Sequence, residues 1–209
     1  MIPKRIASVL AILILMVFPA SAVSMDPMAI IKAPIDTVIT ILNDPQYKVA
    51  GTKSVQRDKI WKIVKPLFDF DEISKRAVAR NWKDFTDAEK AAFADVFAHF
   101  LGNTYIDKIQ GEYHNERIVY IGQGFYSDVY AEVRTQIVRE TVEIPVNYRM
   151  FKNGDGQWRV YDIIVEGVSL VKNYRTQFAS ILRKEKPAQL IQRLNKKLTE
   201  QNKRLAENG

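Results

Sequence analysis

The side chains that could do nucleophilic, acid–base or metal chemistry are few in this sequence. Cysteine is absent, which excludes disulfides, thiolate metal sites and thiol nucleophiles. The histidines are His99 and His114, and His99 is followed four residues later by Asn103 instead of a second metal ligand. No P-loop, G-x-G-x-x-G or G-x-S-x-G motif is present. We therefore expect no metal ion and no cofactor, and we interpret both histidines as surface or core residues.

Two carboxylates on one predicted strand are the remaining candidates for catalysis. Asp162 and Glu166 share a face of that strand, with Tyr148 and Tyr161 nearby in the pattern. Such carboxylates could act as general acid and base in an apolar cavity. Single carboxylates on strands are more often exposed or ion-paired. The sequence therefore favours a protein that is not an enzyme and leaves an acid–base enzyme as an alternative.

The first 22 residues have the organisation of a secretory signal peptide. Lys4 and Arg5 precede an uncharged run over 6–18, and an Ala-Ser-Ala site ends at Ala22. A run of 13 residues is too short to span a bilayer as a helix. We expect cleavage after Ala22, a mature chain that starts near Val23, and a periplasmic location in a Gram-negative cell.

The positive charge of this chain is concentrated at its two ends. Of 31 basic residues, two precede Val23 and eight follow Leu182, whereas three of the 24 acidic residues follow Leu182. Residues 23–182 are thus balanced at 21 of each sign. A neutral body and an export signal together argue against nucleic acid as a partner. The basic C-terminal segment could contact anionic lipid headgroups or an acidic partner, or it could be a solvated helix face.

The elements that must position these side chains follow from the apolar spacing. Helical periods occur within 26–43, 54–68, 69–82, 87–110 and 169–182, and again from residue 187. A period of two predicts strands at 118–121, 129–137, 142–150 and 158–166, with Pro145 expected at an edge or a bulge. Helices, then four strands, then helices indicate an α+β fold. A four-stranded antiparallel sheet would pack against helices on one face within one domain.

Large apolar side chains are abundant, with ten Phe, nine Tyr and three Trp. The helix over 87–110 and the sheet each present a broad apolar surface. Two such surfaces could meet in a filled core or enclose a cavity, and periodicity alone does not decide between them.

Four stretches carry a resemblance to a known family. They are Phe68–Ile73, Trp82 with Phe85–Glu89, Val146–Met150 and Trp158–Val171. In these stretches the sequence resembles the MlaC family, the periplasmic phospholipid carriers also known as toluene-tolerance auxiliary transport proteins. The match spans nearly the whole mature chain. It departs from the family pattern at 79–81, which reads Ala-Arg-Asn where the family usually has Leu-Gly.

The resemblance implies a deep apolar pocket between a four-stranded sheet and the helices. It implies a soluble periplasmic carrier that shuttles phospholipid between an inner-membrane MlaD-type ABC transporter complex and an outer-membrane MlaA-type lipoprotein complex. A monomer is expected. The corresponding domain organisation is a signal peptide over 1–22, a lipid-binding domain over 23–186 and a basic helical extension over 187–209.

The expected lipid-binding residues form two walls and a cover. One wall lies on the helix over 87–110: Phe93, Phe97, Leu101 and Tyr105. The other lies on the sheet: Val133, Ile144, Val146, Tyr148, Ile163 and Val165. The cover over one end consists of Val168, Val171, Tyr174 and Phe178. Asp162, Asn173 and Arg175 are expected to be structural polar groups at the strand-to-helix corner.

Three alternatives remain open from the sequence. The cargo could be another hydrophobic ligand such as a hopanoid. The cone between helices and sheet could serve the acid–base enzyme considered above. The protein could also be a structural adaptor of a transporter with a filled core.

Overall fold

The computed structural model describes residues 26–49 and 51–207; the predicted signal peptide lies outside these residues. The described helices are α1 (Pro27–Asn43), α2 (Lys53–Val64), α3 (Phe70–Val78), α4 (Asp87–Glu112), α5 (Leu170–Leu182) and α6 (Pro187–Glu207). The strands are β1 (Arg117–Ser127), β2 (Tyr130–Val138), β3 (Glu143–Lys152), β4 (Trp158–Val165) and β5 (Val168–Ser169). This order is the predicted α+β layout.

The sheet is an antiparallel meander in the order β1-β2-β3-β4-β5. It therefore has five strands where four were expected. The fifth is a two-residue strand that turns back onto β4, because Glu166 and Gly167 both adopt positive φ, at 50° and 80°. A strand of two residues has no periodicity for a sequence pattern to detect.

Two strands differ from their predicted form for local reasons. β1 extends far beyond the predicted 118–121, because register shifts near Gly122 and Ser127 interrupt its alternation. β3 is central although Pro145 suggested an edge or a bulge. Pro145 is tolerated there because the pairing of β3 with β4 begins only at Val146, so β4 does not need a donor from Pro145.

Side-chain caps fix where three of the helices begin. The Asp69 carboxylate accepts the Glu72 amide at 2.8 Å and starts α3. The predicted capping box before α4 is formed, since the Thr86 hydroxyl accepts the Glu89 amide at 3.2 Å and Glu89 accepts the Thr86 amide at 2.9 Å. The Ser169 hydroxyl caps α5 by accepting the Lys172 amide.

The interior consists of three apolar clusters. The helical core joins α3, α4, α5 and α6 and is rich in aromatic rings. The sheet core lies between α1 and the sheet, where Ile31 packs with Val133 and Met150. The α1–α2 core is smaller and is centred on Val38, Ile60 and Ile106.

The basic C-terminal segment is part of this packing. Leu190 and Leu194 of α6 belong to the helical core, and Leu205 is also buried. Helix α6 therefore packs against the helices that precede residue 187. Across 26–49 and 51–207, none of the helices combines the length and apolar character needed to cross a bilayer.

Candidate functional site

Asp162, one of the two carboxylates considered for catalysis, makes structural contacts within the protein. Asp162 is buried; it accepts the Ser169 hydroxyl at 2.6 Å and the Val171 amide at 3.0 Å. Arg149 lies 3.8 Å away. Because these donors occupy both oxygens, Asp162 ties β4 to the start of α5. Glu166 lies in the exposed turn after β4, so the two carboxylates do not form an acid–base pair on one strand.

The neighbouring polar residues also contact the protein itself. Arg175 donates from Nε to the Arg76 carbonyl at 2.8 Å, joining α5 to α3. The histidines contact nearby carbonyls: His99 Nδ1 lies 2.9 Å from that of Asp95, and His114 Nδ1 lies 2.7 Å from that of Glu112. Within the described residues, no three His, Asp or Glu side chains are grouped so that they could hold a metal ion.

The six expected sheet residues share one face of the sheet. In the register, Val133 faces Tyr148, which faces Ile163, and Val146 faces Val165 in the next row. Ile144 completes the set opposite Ile137. Val133, Tyr148 and Ile163 belong to the sheet core beneath α1, where burial raises the pKa of Tyr148 to about 12. This face is the apolar sheet surface that the sequence anticipated.

The expected helix wall lies elsewhere. Phe93 and Phe97 are fully buried in the helical core, with ring centroids 5.5 Å apart. The Phe97 ring also lies 5.1 Å from the rings of both Tyr174 and Phe178. Leu101 and Val171 complete this group. The structure therefore brings the α4 wall and most of the cover together, but α5 and α6, not the sheet, face Phe93 and Phe97. A helical period identifies a shared face, not the element that covers it.

A set of exposed apolar side chains surrounds one end of the molecule, and we call it the apolar rim. Its members are between 36% and 63% exposed: Tyr105, Ile109, Val142, Val165 and Val168. Two links hold their elements together. Arg139, near Val142, contacts Glu112 of α4 at 3.9 Å. The Glu166 amide donates to the Pro145 carbonyl at 3.0 Å. Burial raises the pKa of both Tyr105 and Tyr174.

Helix α1 covers the sheet and is attached to it by polar contacts along one edge. Gln123 of β1 accepts the Met28 amide at 2.8 Å, and the Tyr120 hydroxyl donates to Asp36 at 2.8 Å. At the C-terminal end of the helix, Asn43 donates to the Tyr113 hydroxyl at 2.9 Å. Although partial burial opposes ionisation, hydrogen bonds from Lys32 and Tyr120 lower the pKa of Asp36.

Open clefts lie at both ends of α1. One of about 610 Å³ is bounded by Ile39 and Asn43 on the helix and by residues 115–118 before and within β1. The other, of about 600 Å³, is bounded by Pro27, Phe125, Tyr126 and Trp158. The helix is therefore a cover with accessible space at each end, resting on the apolar face of the sheet.

An MlaC protein family model matches residues 32–196, which extend from within α1 to the middle of α6. The chain belongs to the MlaC family. It is 26% identical to the toluene tolerance protein ttg2D of Pseudomonas putida over 144 residues, which are 68% of this chain. The alignment spans 65% of the length of that relative.

A solved structure shares the fold of this MlaC chain. It is the phospholipid-binding protein from Ralstonia solanacearum, determined in complex with a phospholipid. The TM-score is 0.70 at 26% identity, and the match covers 85% of this chain and 99% of that one.

Two residues that were not among the expected lipid-binding residues of this MlaC chain pack into the sheet core beside them. Ile31 of α1 is buried against Val133 and Met150 in the sheet core. Phe68 contacts both the sheet core and the helical core, and the next amide, of Asp69, donates to the Val160 carbonyl at 3.1 Å. The available signals were the helical spacing around Ile31 and the family-like stretch that begins at Phe68.

Proposed function

We propose that this chain is a periplasmic phospholipid carrier that holds acyl chains against the apolar face of its sheet. The observation that carries the proposal is the shared fold with a protein whose structure contains a phospholipid. The aligned sheet face of Val133, Tyr148 and Ile163, covered by the separately attached helix α1, supports it.

We assign lipid contact to two of the groups described above. The sheet face described above, which includes Val133, Ile144 and Val146, would contact the acyl chains. The apolar rim would form the mouth of the pocket. Tyr105, Val165 and Val168 of the rim are exposed as a mouth requires. Phe93, Phe97, Leu101, Val171 and Phe178 are proposed to keep the helical wall rigid behind the pocket, since they already fill one another's space.

The physical reason for a carrier is the cost of exposing acyl chains to water. Burial of one methylene is worth about 0.8 kcal/mol, so two chains with roughly 30 methylenes represent about 24 kcal/mol. A carrier must offer apolar surface comparable to that of a membrane and still release its cargo. Non-covalent apolar contacts meet both needs. The commitment of Asp162 to packing contacts supports binding without catalysis.

The proposed route runs between two membranes. The chain would accept or deliver phospholipid at an inner-membrane MlaD-type ABC transporter complex and an outer-membrane MlaA-type lipoprotein complex. The family match and the ttg2D relative support this route, and the leader over 1–22 would direct the chain to the periplasm.

Native mass spectrometry and lipid extraction of the exported protein test the proposal. We expect close to one phospholipid per chain, identified by its mass, which also separates phospholipid from a hopanoid. Val146→Glu should remove the lipid, because it places a charge on the buried sheet face. Val55→Glu, on an exposed site of α2, is the matched control and should keep it.

Folding must be checked in both variants by circular dichroism. If Val146→Glu does not fold, Val168→Glu at the exposed rim replaces it and should lower the lipid content without affecting the fold. Wild-type protein that contains no lipid and takes up none from vesicles would contradict the proposal.

A further inference from the structure

Helix α6 is held in a fixed rotational setting on α4. Leu190, Leu194 and Leu205 are buried on one side of it. Beside them, Gln201 donates to the Thr104 hydroxyl at 2.7 Å, and Asn103 donates to Asn202 at 2.7 Å. Because apolar and polar contacts both fix the helix, its outer face has a defined orientation relative to the rest of the molecule.

That outer face is cationic. Four exposed basic residues, which we call the cationic face, are Lys196, Lys197, Lys203 and Arg204. The whole helix has five basic residues and two acidic ones, so its net charge is +3. Within the part of the chain that the structure describes, neither Lys196 nor Lys197 has a carboxylate within 4.0 Å. Lys203 lies 4.0 Å from Glu207, and both acidic residues of α6, Glu200 and Glu207, are exposed. Arg193, outside the cationic face, is paired with Glu185.

We propose that the cationic face of α6 is a docking surface for membranes that contain anionic phospholipids. All large apolar side chains of α6 are directed into the protein, fully or in part. A stable protein interface generally requires an apolar or aromatic centre, which this face lacks. Attraction to an anionic membrane requires only basic residues near the surface. The helix cannot insert, since its apolar side is occupied by α4.

Because of the position of α6, docking would bring the proposed mouth of the pocket close to the membrane. The contact between Gln201 and Thr104 sets the C-terminal half of α6 beside the α4 residue that precedes Tyr105 of the apolar rim. Lys203 and Arg204 follow Gln201 by two and three positions. These two members of the cationic face and the apolar rim therefore belong to the same end of the molecule. Since residues 23–182 are electrically balanced, α6 dominates the charge that orients the protein toward a surface.

Co-sedimentation of the full mature chain with vesicles tests the proposal. The vesicles are phosphatidylcholine with or without phosphatidylglycerol, at low and at high sodium chloride. We expect binding only with phosphatidylglycerol, and loss of that binding at high salt. Replacement of the cationic face by Lys196→Gln, Lys197→Gln, Lys203→Gln and Arg204→Gln should weaken it roughly tenfold or more.

The matched control removes the same number of charges from exposed lysines elsewhere: Lys48→Gln, Lys53→Gln, Lys62→Gln and Lys83→Gln. This variant should keep most of the binding. Equal loss in both variants would mean that net charge alone is responsible and would overturn the proposal. Wild-type binding that is equally strong with and without phosphatidylglycerol would also overturn the proposal.

A second measurement separates a membrane from an acidic protein partner. If the α6 variant loses retention on immobilised polyglutamate but binds vesicles like wild type, the face serves an acidic protein and the membrane proposal fails. Lipid that co-purifies with the α6 variant should match the wild-type amount. A failure of docking is thereby distinguished from a failure of the carrier function, which the docking proposal does not require.

Discussion

The helical core and the sheet core differ in how they are closed. In the helical core, four helices surround interlocking rings, and Phe97 alone has three ring partners at 5.1 to 5.5 Å. In the sheet core, one helix covers an apolar face of the sheet, and its polar contacts to the sheet lie along β1. The two cores are therefore closed in different ways. The proposed carrier function predicts that the sheet core, and not the helical core, opens to admit cargo.

The largest expected effect comes from a change in the helical core. Phe97→Ala should lower the free energy of unfolding by about 3–5 kcal/mol, because a fully buried ring is removed and a cavity is left. Urea denaturation followed by circular dichroism measures the effect. If the free energy of unfolding falls by less than about 1 kcal/mol and the bound lipid is lost, Phe97 lines the pocket.

An intermediate effect is expected where α2 meets α4. A Cβ atom on Gly102 would lie 2.7 Å from the Trp61 ring, so Gly102→Ala should destabilise the fold by about 1–3 kcal/mol. Gly111→Ala is the control on the same helix, since no atom lies within 4 Å of its Cβ position. It should stabilise by up to about 1 kcal/mol through helix propensity. Thermal unfolding compares the two variants. Equal shifts in their melting temperatures would refute the contact between Gly102 and Trp61.

The smallest effect on stability, and the most informative about the sheet core, is expected from Tyr120→Phe. It removes the hydrogen bond to Asp36, worth about 0.5–1.5 kcal/mol, and leaves the ring in place. Amide hydrogen exchange in α1 should accelerate while that of α4 is unchanged, and lipid exchange with vesicles should become faster. Tyr126→Phe, at an exposed hydroxyl beside the other cleft, is the control. Equal acceleration in α4 would mean that the two cores do not open separately.

Local signals in the sequence predicted much of the fold. The pair of Thr86 and Glu89 predicted the start of α4, and the alternation over 129–137 predicted β2 and its buried side. These features depend on neighbours within a few residues. The confirmed family resemblance predicted the fold class, apart from the two-residue strand β5.

The arrangement around the site was less accessible to sequence reasoning. The apolar stripe of α4 is wide enough to serve several partners, and only the tertiary structure assigns Phe97 to α5. The spacing of residues in α1 identified a helix but did not show that Ile31 covers the sheet, since that contact joins positions about a hundred residues apart. The shared face of the sheet residues was easier to predict, because alternation over several residues leaves only two choices of face.

The contact between α4 and α6 also has a consequence for the timing of folding. Asn103 and Asn202 are 99 positions apart, and the helical core that lies beside them includes Leu190 and Leu194. A newly made chain therefore lacks part of its most stable core until those late residues are available. Contacts of such long sequence separation delay folding. For a chain exported in extended form, as we propose for this one, the delay is useful, because the core cannot close around the portion that is still in transit.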